Sequence, residues 1–520
     1  MKAFVPMVVV ASALAAPLLA QDASRGDVPH QPTVNLTLDQ AIVWALQFNL
    51  DIEISSFVPD LRASQVEEAR SRFDPVIGAD FTAARTDGRA SVALTGERTA
   101  QNEQYDWGTS LRRAMPTGGT WNLRMAGRNT VTNANESVTG INDRLWTTSS
   151  TLTLTQPVLR NFGFRFNRST IHIAENSLDR SYYEFQQRVQ DTVQQVVTAY
   201  WRIQLAADTL KIQLDSLDRV RTSLALTNLL IENGKLAKHE QYEVETNLAT
   251  QLDQVHQAQK SYMDAEDALK QLIAPENEDF IWNSHIELGT RPTIAAPTRT
   301  MEDSTKSALE IRPEIHVLRL NLMNADEAIL QAKNQMLPQL NFTGSVGIAD
   351  TTGHVSYDES MSTQFSENDY SAGFGYNYSA GVVFEIPIGN RPARSAYTSR
   401  IIERRQAEAA LRNTESQIVQ GVREAVRDVF TTLERVDVTT KGSDAALKRY
   451  QSEETLFKEG QTDNFRLQQF RQNLLQAQLQ EVRARSEHAI SHVDLERAEG
   501  TILRRLRERN IIVHGTEVGK

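Results

Sequence analysis

The chain has 520 residues, of which 40% are hydrophobic, and a formal net charge of −11 at pH 7. It contains no cysteine, so disulfides, Cys-type zinc sites and a lipidated N-terminal cysteine are excluded in the mature chain. The acidic balance and the lack of a basic stripe argue against a nucleic-acid partner. Glu, Gln, Arg, Ala and Leu crowd the middle and the end of the chain, which favours long exposed helices over one large compact core.

The N-terminus has the pattern of a secretory signal peptide. The sequence MKAFVPMVVVASALAAPLLAQ begins with one lysine, continues as an apolar run and ends in small residues near Ala20. We therefore expect residues 1–20 to be a signal peptide. A membrane anchor is the alternative, but the apolar stretch is shorter than the ~20 residues that a span needs. Export together with the absence of cysteine indicates a bacterial envelope protein.

The chain contains an internal duplication. Residues 36–81 align without a gap with residues 299–344, and the alignment pairs Pro75 with Pro338. Later pairings keep the same order at a shorter offset, so the segments between them differ in length. A repeated unit of helix, strands and helical hairpin predicts an architecture built from two copies.

The duplication divides the chain into predicted segments. They are a first repeat at 36–273, with strands at about 76–157 and a long helical hairpin at 166–273; a Pro-rich, aperiodic linker at 274–300; a second repeat at 301–508, with strands at about 338–388 and a hairpin at 393–506; and a C-terminal tail at 509–520.

Several segments alternate between apolar and polar residues, as β-strands do. In residues 376–388 the even positions from Tyr376 to Ile386 are apolar and the odd positions are mostly polar, and residues 338–348 and 147–156 alternate similarly. Each run is about as long as the 9–11 residues of a transmembrane β-strand. A soluble sandwich with one solvated face is the alternative, because alternation alone does not distinguish the two.

The number of strands has a consequence for assembly. Four β segments, or six with an additional hairpin at about 105–130, are fewer than the roughly eight strands of the smallest membrane barrels. Several protomers must therefore share a barrel if one exists. The additional hairpin is predicted from the turn sequence Pro116-Thr117-Gly118-Gly119. It would either add strands or form an extracellular lid, and the sequence leaves both open.

Two segments carry an apolar seam with alternating steps of four and three residues. The seam positions are Val189, Val193, Val196, Tyr200, Ile203, Ala207, Leu210, Leu214, Leu217, Arg221, Leu224, Asn228 and Ile231 in the first copy, and Val422, Val426, Val429, Leu433, Val436, Thr440, Ser443, Leu447, Tyr450, Glu454 and Phe457 in the second. This period predicts coiled-coil helices. Each helix ends at a glycine, Gly234 or Gly460, which favours a left-handed cap before a returning helix.

The sequence offers no constellation for catalysis. His239-Glu240 begins like a zinc-protease motif but lacks the second histidine, and Gly373-Phe374-Gly375 lacks the third glycine of a dinucleotide loop. Acidic residues are abundant, but a solvated helix face is their default interpretation. We therefore expect a protein that is not an enzyme and has no cofactor or metal.

The ordered set of features resembles the outer-membrane efflux protein (TolC) family. The resemblance is carried by LTLTQPVLRNFGFRFNRSTIHIAENS at 152–177, by Thr-Leu-Asp-Gln-Ala at 37–41 and by the paired prolines Pro75 and Pro338, and it covers about 36–508. It implies a mainly α fold with transmembrane β-strands. The duplicated helix–strand–strand–helix–hairpin unit would form a trimeric α-barrel plus a shared 12-stranded β-barrel, with four strands from each protomer.

The resemblance also implies a function. The protein would be the outer-membrane exit duct of a tripartite efflux or type I secretion system, with a long periplasmic extension. Its partners would be two further copies of itself, a periplasmic adaptor (membrane fusion protein), an inner-membrane pump and outer-membrane lipid. Alternatives are a periplasmic coiled-coil adaptor, which should show one hairpin rather than two, and a structural envelope protein, which the alternating strands oppose. The cargo and the partner pump are not specified.

The resemblance places candidate functional residues at the two hairpin turns. The adaptor-facing turn residues are Asn233, Gly234, Lys235, Glu459, Gly460 and Gln461. At the constriction, where the best-studied members carry acidic rings, this chain has Arg466 and Gln469, with Asp463 nearby. A threefold ring of Arg466 would favour anions. Alternatively, Arg466 pairs with a neighbouring helix.

Overall fold

The structure is a computed structural model that describes residues 33–92, 96–132, 143–234, 236–273, 279–297, 299–354, 370–371, 375–459, 461–508 and 511. The predicted signal peptide and nearly all of the predicted tail lie outside these residues. Two predicted turn residues, Lys235 and Gly460, also lie outside them.

The described helices occur in two similar series. They are α1 (Leu38–Phe48), α2 (Leu50–Ser71), α3 (Phe164–Glu232), α4 (His239–Ile273), α5 (Asp279–Trp282), α6 (Met301–Ile311), α7 (Pro313–Gln335), α8 (Arg391–Lys458), α9 (Asn464–Glu499) and α10 (Ile502–Glu508). With 69 and 68 residues, α3 and α8 are each about 100 Å long at 1.5 Å per residue.

The described strands form one large antiparallel sheet and one small parallel pair. They are β1 (Thr33–Leu36), β2 (Val76–Val92), β3 (Gly96–Ala114), β4 (Thr120–Thr132), β5 (Asp143–Pro157), β6 (His285–Leu288), β7 (Gln339–His354), β8 (Tyr370–Ser371) and β9 (Gly375–Glu385). The large sheet has the order β2-β3-β4-β5-β7, with β8 and β9 both pairing β7. Since β5 occupies the other edge of β7, β8 and β9 share the sixth position.

The predicted hairpin at about 105–130 adds strands to the sheet. It is β3 and β4, which lie between β2 and β5 in continuous antiparallel register. The described residues therefore supply six long strand positions, four from the first repeat and two from the second. The four strands per chain implied by the family resemblance are too few for this chain, because the first repeat carries an inserted strand pair.

The sheet has one apolar and one polar face, since side chains alternate along each strand. Phe81 on β2, Trp107 on β3, Phe342 on β7 and Tyr378 on β9 lie on one face, and all are substantially exposed. Threonine, serine, asparagine and paired charges occupy the other face.

The helices pack as two layers along the long axis. Near the sheet, α2 and α7 pack beside α3 and α8, and α3 contacts α7. Farther away, α4 returns along α3, and α9 returns along α8 and also packs against α3. The buried cores lie between these helices, one around Val193 and Tyr200 and another around Val422 and Val429.

The segment between the repeats is more ordered than its aperiodic sequence predicts. It contains α5 and β6, and β6 pairs in parallel with β1 near the N-terminus. Buried Tyr200 fixes this pair to α3: its hydroxyl donates to the carbonyl oxygen of Leu36 at 3.1 Å and accepts from the backbone N–H of Thr290 at 3.0 Å. The division into repeats, linker and tail remains a prediction.

The predicted seam holds in α8 better than in α3. Val429, Val436, Ser443, Tyr450 and Phe457 are all buried at seven-residue steps. In α3 the seam residues from Val189 to Ile203 are buried, Ala207 and Leu210 are partly buried against the same core, and Leu217 is buried further along.

From Leu214 onward the buried side of α3 rotates by about one residue. The predicted seam residue Leu214 is 47% exposed, whereas Gln213 is buried. The physical reason is a polar layer: the amide of Gln251 on α4 donates to the side-chain oxygen of Gln213 at 2.7 Å, and the hydroxyl of Ser216 donates to Gln251 at 3.2 Å.

Among the described residues, no single helix has the length and apolar composition to cross a membrane. The bent pair of α1 and α2, with an angle of 48° between its two helices, meets these criteria by length and composition alone.

Candidate functional site at the hairpin tips

The first hairpin tip is the turn after α3. Asn233 caps the helix, and its backbone N–H and side-chain amide both donate to the carbonyl oxygen of Leu229, at 3.1 and 2.9 Å. Gly234 follows with φ +70° and donates to Ile231 at 2.9 Å. A left-handed residue here requires glycine for low strain, which explains why the sequence places glycine at this turn.

The second tip is the turn after α8. Glu459 is the cap residue, with its N–H donating to Thr455 at 3.1 Å, and the N–H of Gln461 donates to Leu456 at 2.9 Å. A hydrogen bond from the N–H of the second residue after the C-cap to the carbonyl oxygen of the third residue before the C-cap is the signature of a Schellman motif. Both tips therefore end a long helix by carbonyl capping, and Asn233, Gly234, Glu459 and Gln461 are all exposed.

The two tips pack against each other. Tyr450, Phe457, Leu467 and Leu474 form a buried cluster near the end of the second hairpin. Side chains of the first hairpin, Leu226, Leu230 and Leu236, pack against that cluster. The cluster therefore holds the ends of the two hairpins together.

The three constriction candidates have different local roles. Asp463 is the N-cap of α9, and its carboxylate accepts from the backbone N–H of Arg466 at 2.8 Å. Gln469 lies exposed one turn further and donates to Asn473 at 3.2 Å. Asp463 thus has a structural role as a helix cap in addition to its charge.

Arg466 pairs with an acid that sequence reasoning missed. Its Nε lies 3.2 Å from Oε1 of Glu453 on α8, while 61% of the Arg466 side chain remains exposed. Glu453 is buried and also accepts from the hydroxyl of Thr462 at 2.6 Å. The predicted seam had assigned Glu454 to the buried side. Arg466 on α9 therefore pairs with the neighbouring helix α8, as the alternative to an arginine ring predicted.

A second arginine is buried behind the tip. Arg471 is 5% exposed, and its burial lowers the pKa of the guanidinium from its usual value. Nearby Tyr450 has its pKa raised by burial and by the charge of Glu454. Arg471 occupies an inward position of α9 between Leu467 and Leu474. The four- and three-residue spacing of Leu467, Arg471 and Leu474 in the sequence is the signal that predicts this inward position.

The polar face of the sheet holds a second group of charges. Arg124 on β4 pairs with Asp80 on β2 at 2.7 Å, reaching across Gly108 on β3, and Arg128 pairs with Asp106 at 2.6 Å. A Cβ on Gly108 would lie 2.6 Å from the Arg124 guanidinium, so glycine leaves the space for this bridge. Within the described part of the chain, no group of three His, Cys, Asp or Glu side chains could hold a metal ion.

The architecture defines the class of protein. It is a duplicated, mainly helical chain with long helical hairpins and a two-faced antiparallel sheet at one end. A model of the outer membrane efflux protein family matches residues 41–274 and 305–501. The chain belongs to this family, which confirms the resemblance seen in the sequence. The search of curated protein sequences gave no significant match.

Solved structures share the fold at low sequence identity. The CmeC outer membrane channel of Campylobacter jejuni is 15% identical with a TM-score of 0.66, and the alignment covers 93% of this chain and 90% of CmeC. VceC of Vibrio cholerae is 14% identical with a TM-score of 0.63, covering 89% and 96%. The open state of the MtrE channel of Neisseria gonorrhoeae is 15% identical with a TM-score of 0.60, covering 89% and 88%.

Proposed function

We propose that this protein is an outer-membrane exit duct of a tripartite efflux or type I secretion system. The observation that carries the proposal is the continuous connection of a two-faced sheet to two helical hairpins of about 100 Å. The sheet would span the outer membrane, and the hairpins would extend into the periplasm. The names of the similar structures, which describe outer membrane channels, support the same interpretation.

The exposed apolar face of the sheet is the proposed lipid contact. Tyr376, Tyr378 and Phe384 on β9 are 85%, 89% and 61% exposed, and Phe81 on β2 is 70% exposed. In water such a surface would be an aggregation hazard. In a bilayer, an apolar outer band with aromatic residues is what a transmembrane sheet requires.

Open surfaces support a homotrimer whose helices form an α-barrel. Ile54, Phe57 and Leu61 lie on one face of α2 at spacings of three and four residues, and each is more than half exposed. Within the part of the chain that the structure describes, β2 and β9 each have one unpaired edge in the large sheet. Backbone groups in lipid need hydrogen-bond partners, so the edges require neighbouring copies. We assign three copies from the family resemblance.

The tips are the proposed contact with a periplasmic adaptor, itself coupled to an inner-membrane pump. Asn233, Gly234, Glu459 and Gln461 form this surface, with Lys235 and Gly460 completing the turn sequences. Transport through the duct would be passive. The proposal includes no catalytic residue, cofactor or metal ligand.

Fractionation and reconstitution test the function. We expect the full-length protein in the outer-membrane fraction as a heat-modifiable trimer, and we expect the purified trimer to conduct ions in planar bilayers. Cross-linking in cells followed by pull-down should capture an adaptor. A monomer in the periplasmic fraction, without conductance, would contradict the proposal.

The constriction proposal has its own test. We propose that Asp463, Arg466 and Gln469 set ion preference at the entrance. Arg466→Asp removes the partner of Glu453 and adds a carboxylate, so each protomer becomes two charges more negative, and the channel should shift toward cations. The measurement is the reversal potential in a salt gradient.

The control for this experiment is Arg483→Asp on the same helix. Arg483 is 69% exposed and lies farther from the turn, so the same charge change should leave ion preference nearly unchanged. Equal reversal potentials for wild type and Arg466→Asp would contradict the proposal that Arg466 sets ion preference at the constriction.

A further inference from the structure

We propose that the membrane barrel of the trimer contains eighteen strands, because each chain contributes six. This inference rests on the proposed function and departs from the twelve strands that the family resemblance implies. The inference rests on β3 and β4, each of which pairs with a neighbouring strand on both sides in the large sheet. The two edge strands, β2 and β9, would pair with the edge strands of neighbouring copies of this chain.

The pairing of the inserted strands is continuous. β2 pairs with β3 from Val76 opposite Arg112 to Val92 opposite Gly96. β3 then pairs with β4, and β4 with β5, over thirteen residues each without a gap. Among the described strands, β2 and β5 do not pair with each other, since β3 and β4 lie between them. A lid folded over the sheet would instead leave β2 beside β5.

The turn between β3 and β4 is fixed at the helical end of the sheet. The carbonyl oxygen of Thr117 accepts from the N–H of Gly163 at 3.0 Å, immediately before α3, and the Thr117 hydroxyl donates to Gln156 at 2.9 Å. Gly118 has φ +96°, and a Cβ there would lie 2.0 Å from the carbonyl oxygen of Asn161. The hairpin therefore runs the height of the sheet and back.

The inserted strands share the two faces of their neighbours. Trp107 lies on the apolar face and makes an edge-on contact with Trp146 on β5, with ring centroids 5.8 Å apart. The ion pairs of Asp106 with Arg128 and of Arg124 with Asp80 lie on the polar face. Charged side chains on the lipid face are costly, so this placement suits strands that line a pore.

The two open edges are complementary in direction. Neighbouring strands of the sheet are antiparallel throughout, so β2 and β9, at the first and sixth positions, run in opposite directions. β9 of one copy can then extend the antiparallel order with β2 of the next. Six strands per chain allow three copies to close without a parallel pair. Closure removes the unpaired edges that would otherwise template aggregation.

The strand count predicts a wider barrel. Barrel diameter grows roughly linearly with the number of strands. An eighteen-stranded barrel would be about half again as wide as one with twelve strands, with roughly twice the cross-section. The outer end of this duct would therefore be wide compared with its tips.

Cysteine pairs test the insertion in the assembled trimer, and the natural chain provides a cysteine-free background. Ala79 lies opposite Thr109 in the β2–β3 register. Ala79→Cys with Thr109→Cys should form an intramolecular disulfide in outer-membrane vesicles. The matched pair Ala79→Cys with Ser150→Cys, on β2 and β5, should not, because two strands separate them. The opposite result would overturn the proposal.

Edge pairs and imaging complete the test. Cysteines along β2 at Ala79, Phe81 and Ala83, combined with cysteines along β9 at Tyr378, Ala380 and Val382, should link chains into dimers and trimers. Cryo-electron microscopy of the trimer should count eighteen strands. A conducting trimer with twelve strands would refute this inference alone, whereas a protein that neither enters the outer membrane nor forms trimers would refute the proposed function.

Discussion

The two repeats build the same succession of elements but differ most where they meet the sheet. The first contributes four strands, β2 to β5, and the second contributes β7 and the line formed by β8 and β9. Both begin with a threonine-capped helix: Thr37 accepts from the N–H of Gln40, and Thr300 from that of Asp303. Local capping is therefore retained between the copies, while the sheet portion accepted an insertion. The first helix of each repeat therefore keeps its threonine cap although the number of strands differs.

The bends after these first helices differ in their chemistry. Between α1 and α2, Asn49 accepts from the N–H of Ile52 at 3.2 Å and donates to the carbonyl oxygen of Leu272 at 3.1 Å. Its equivalent in the second repeat is Arg312, which pairs with Glu314 at 2.9 Å. The first bend is held by a neutral amide and the second by charges.

The charged bend continues into a network that joins both repeats. Arg497 on α9 lies 2.8 Å from Glu314 and 2.6 Å from Asp191 on α3. The Arg497 side chain is only 11% exposed. Because α3 belongs to the first repeat, this network connects the halves of the chain.

The largest expected effect comes from breaking that network. Arg497→Met would leave Asp191 and Glu314 without this partner in a partly buried site, and we expect a loss of about 3 to 5 kcal/mol in the free energy of unfolding. At the first bend, Asn49→Ala should cost only about 1 kcal/mol, as for other helix N-caps. Chemical denaturation of the full-length protein in detergent, followed by circular dichroism, measures both. Equal losses would show that the two bends are energetically equivalent.

Acid should weaken the second bend selectively. Burial alone would raise the pKa of Glu314, but hydrogen bonds and charges from Arg312 and Arg497 outweigh it and lower the pKa to about 2. A carboxylate with a lowered pKa stabilises the fold above its unfolded pKa, here near 4.5, and that stability is lost as pH falls toward about 2. The effect is up to about 3 kcal/mol. Glu314→Gln should flatten this part of the stability–pH curve, and an unchanged curve would contradict the assignment.

The sequence predicted regular periodic features better than polar exceptions. The seven-residue period of α8 predicted the buried positions from Val429 to Phe457, and the glycines predicted the positions of the tip turns. It did not predict the rotation of α3, because a hydrogen-bonded glutamine can replace an apolar seam residue without any signal in an apolar pattern. It did not predict the Glu453 partner of Arg466 either, since adjacent acids at 453 and 454 fit the same period. The β3–β4 hairpin was visible, but its place in the sheet depends on long-range pairing.

The polar layer of the first hairpin offers a smaller effect. Gln251→Ala would remove the donor to Gln213 and the acceptor for Ser216, leaving buried groups unpaired, and should cost about 1 to 3 kcal/mol. Gln257→Ala on the exposed side of the same helix is the control and should be nearly neutral. Thermal or chemical unfolding compares the two. A loss of stability confined to Gln257→Ala would exclude the polar layer as the cause of the rotated seam.

The smallest effect distinguishes the glycine of a tip from a glycine inside a helix. Gly234 has φ +70°, so Gly234→Ala should destabilise the first hairpin by about 1 kcal/mol even though a Cβ meets no atom within 4 Å. Gly442 lies within α8 and also has free space for a Cβ, so Gly442→Ala should stabilise it by about 0.5 to 1 kcal/mol. The two substitutions add the same methyl group, and only the backbone conformation differs. Opposite signs in the measured free energy of unfolding are therefore the expected result, and a gain in stability for Gly234→Ala would contradict the left-handed turn at the first tip.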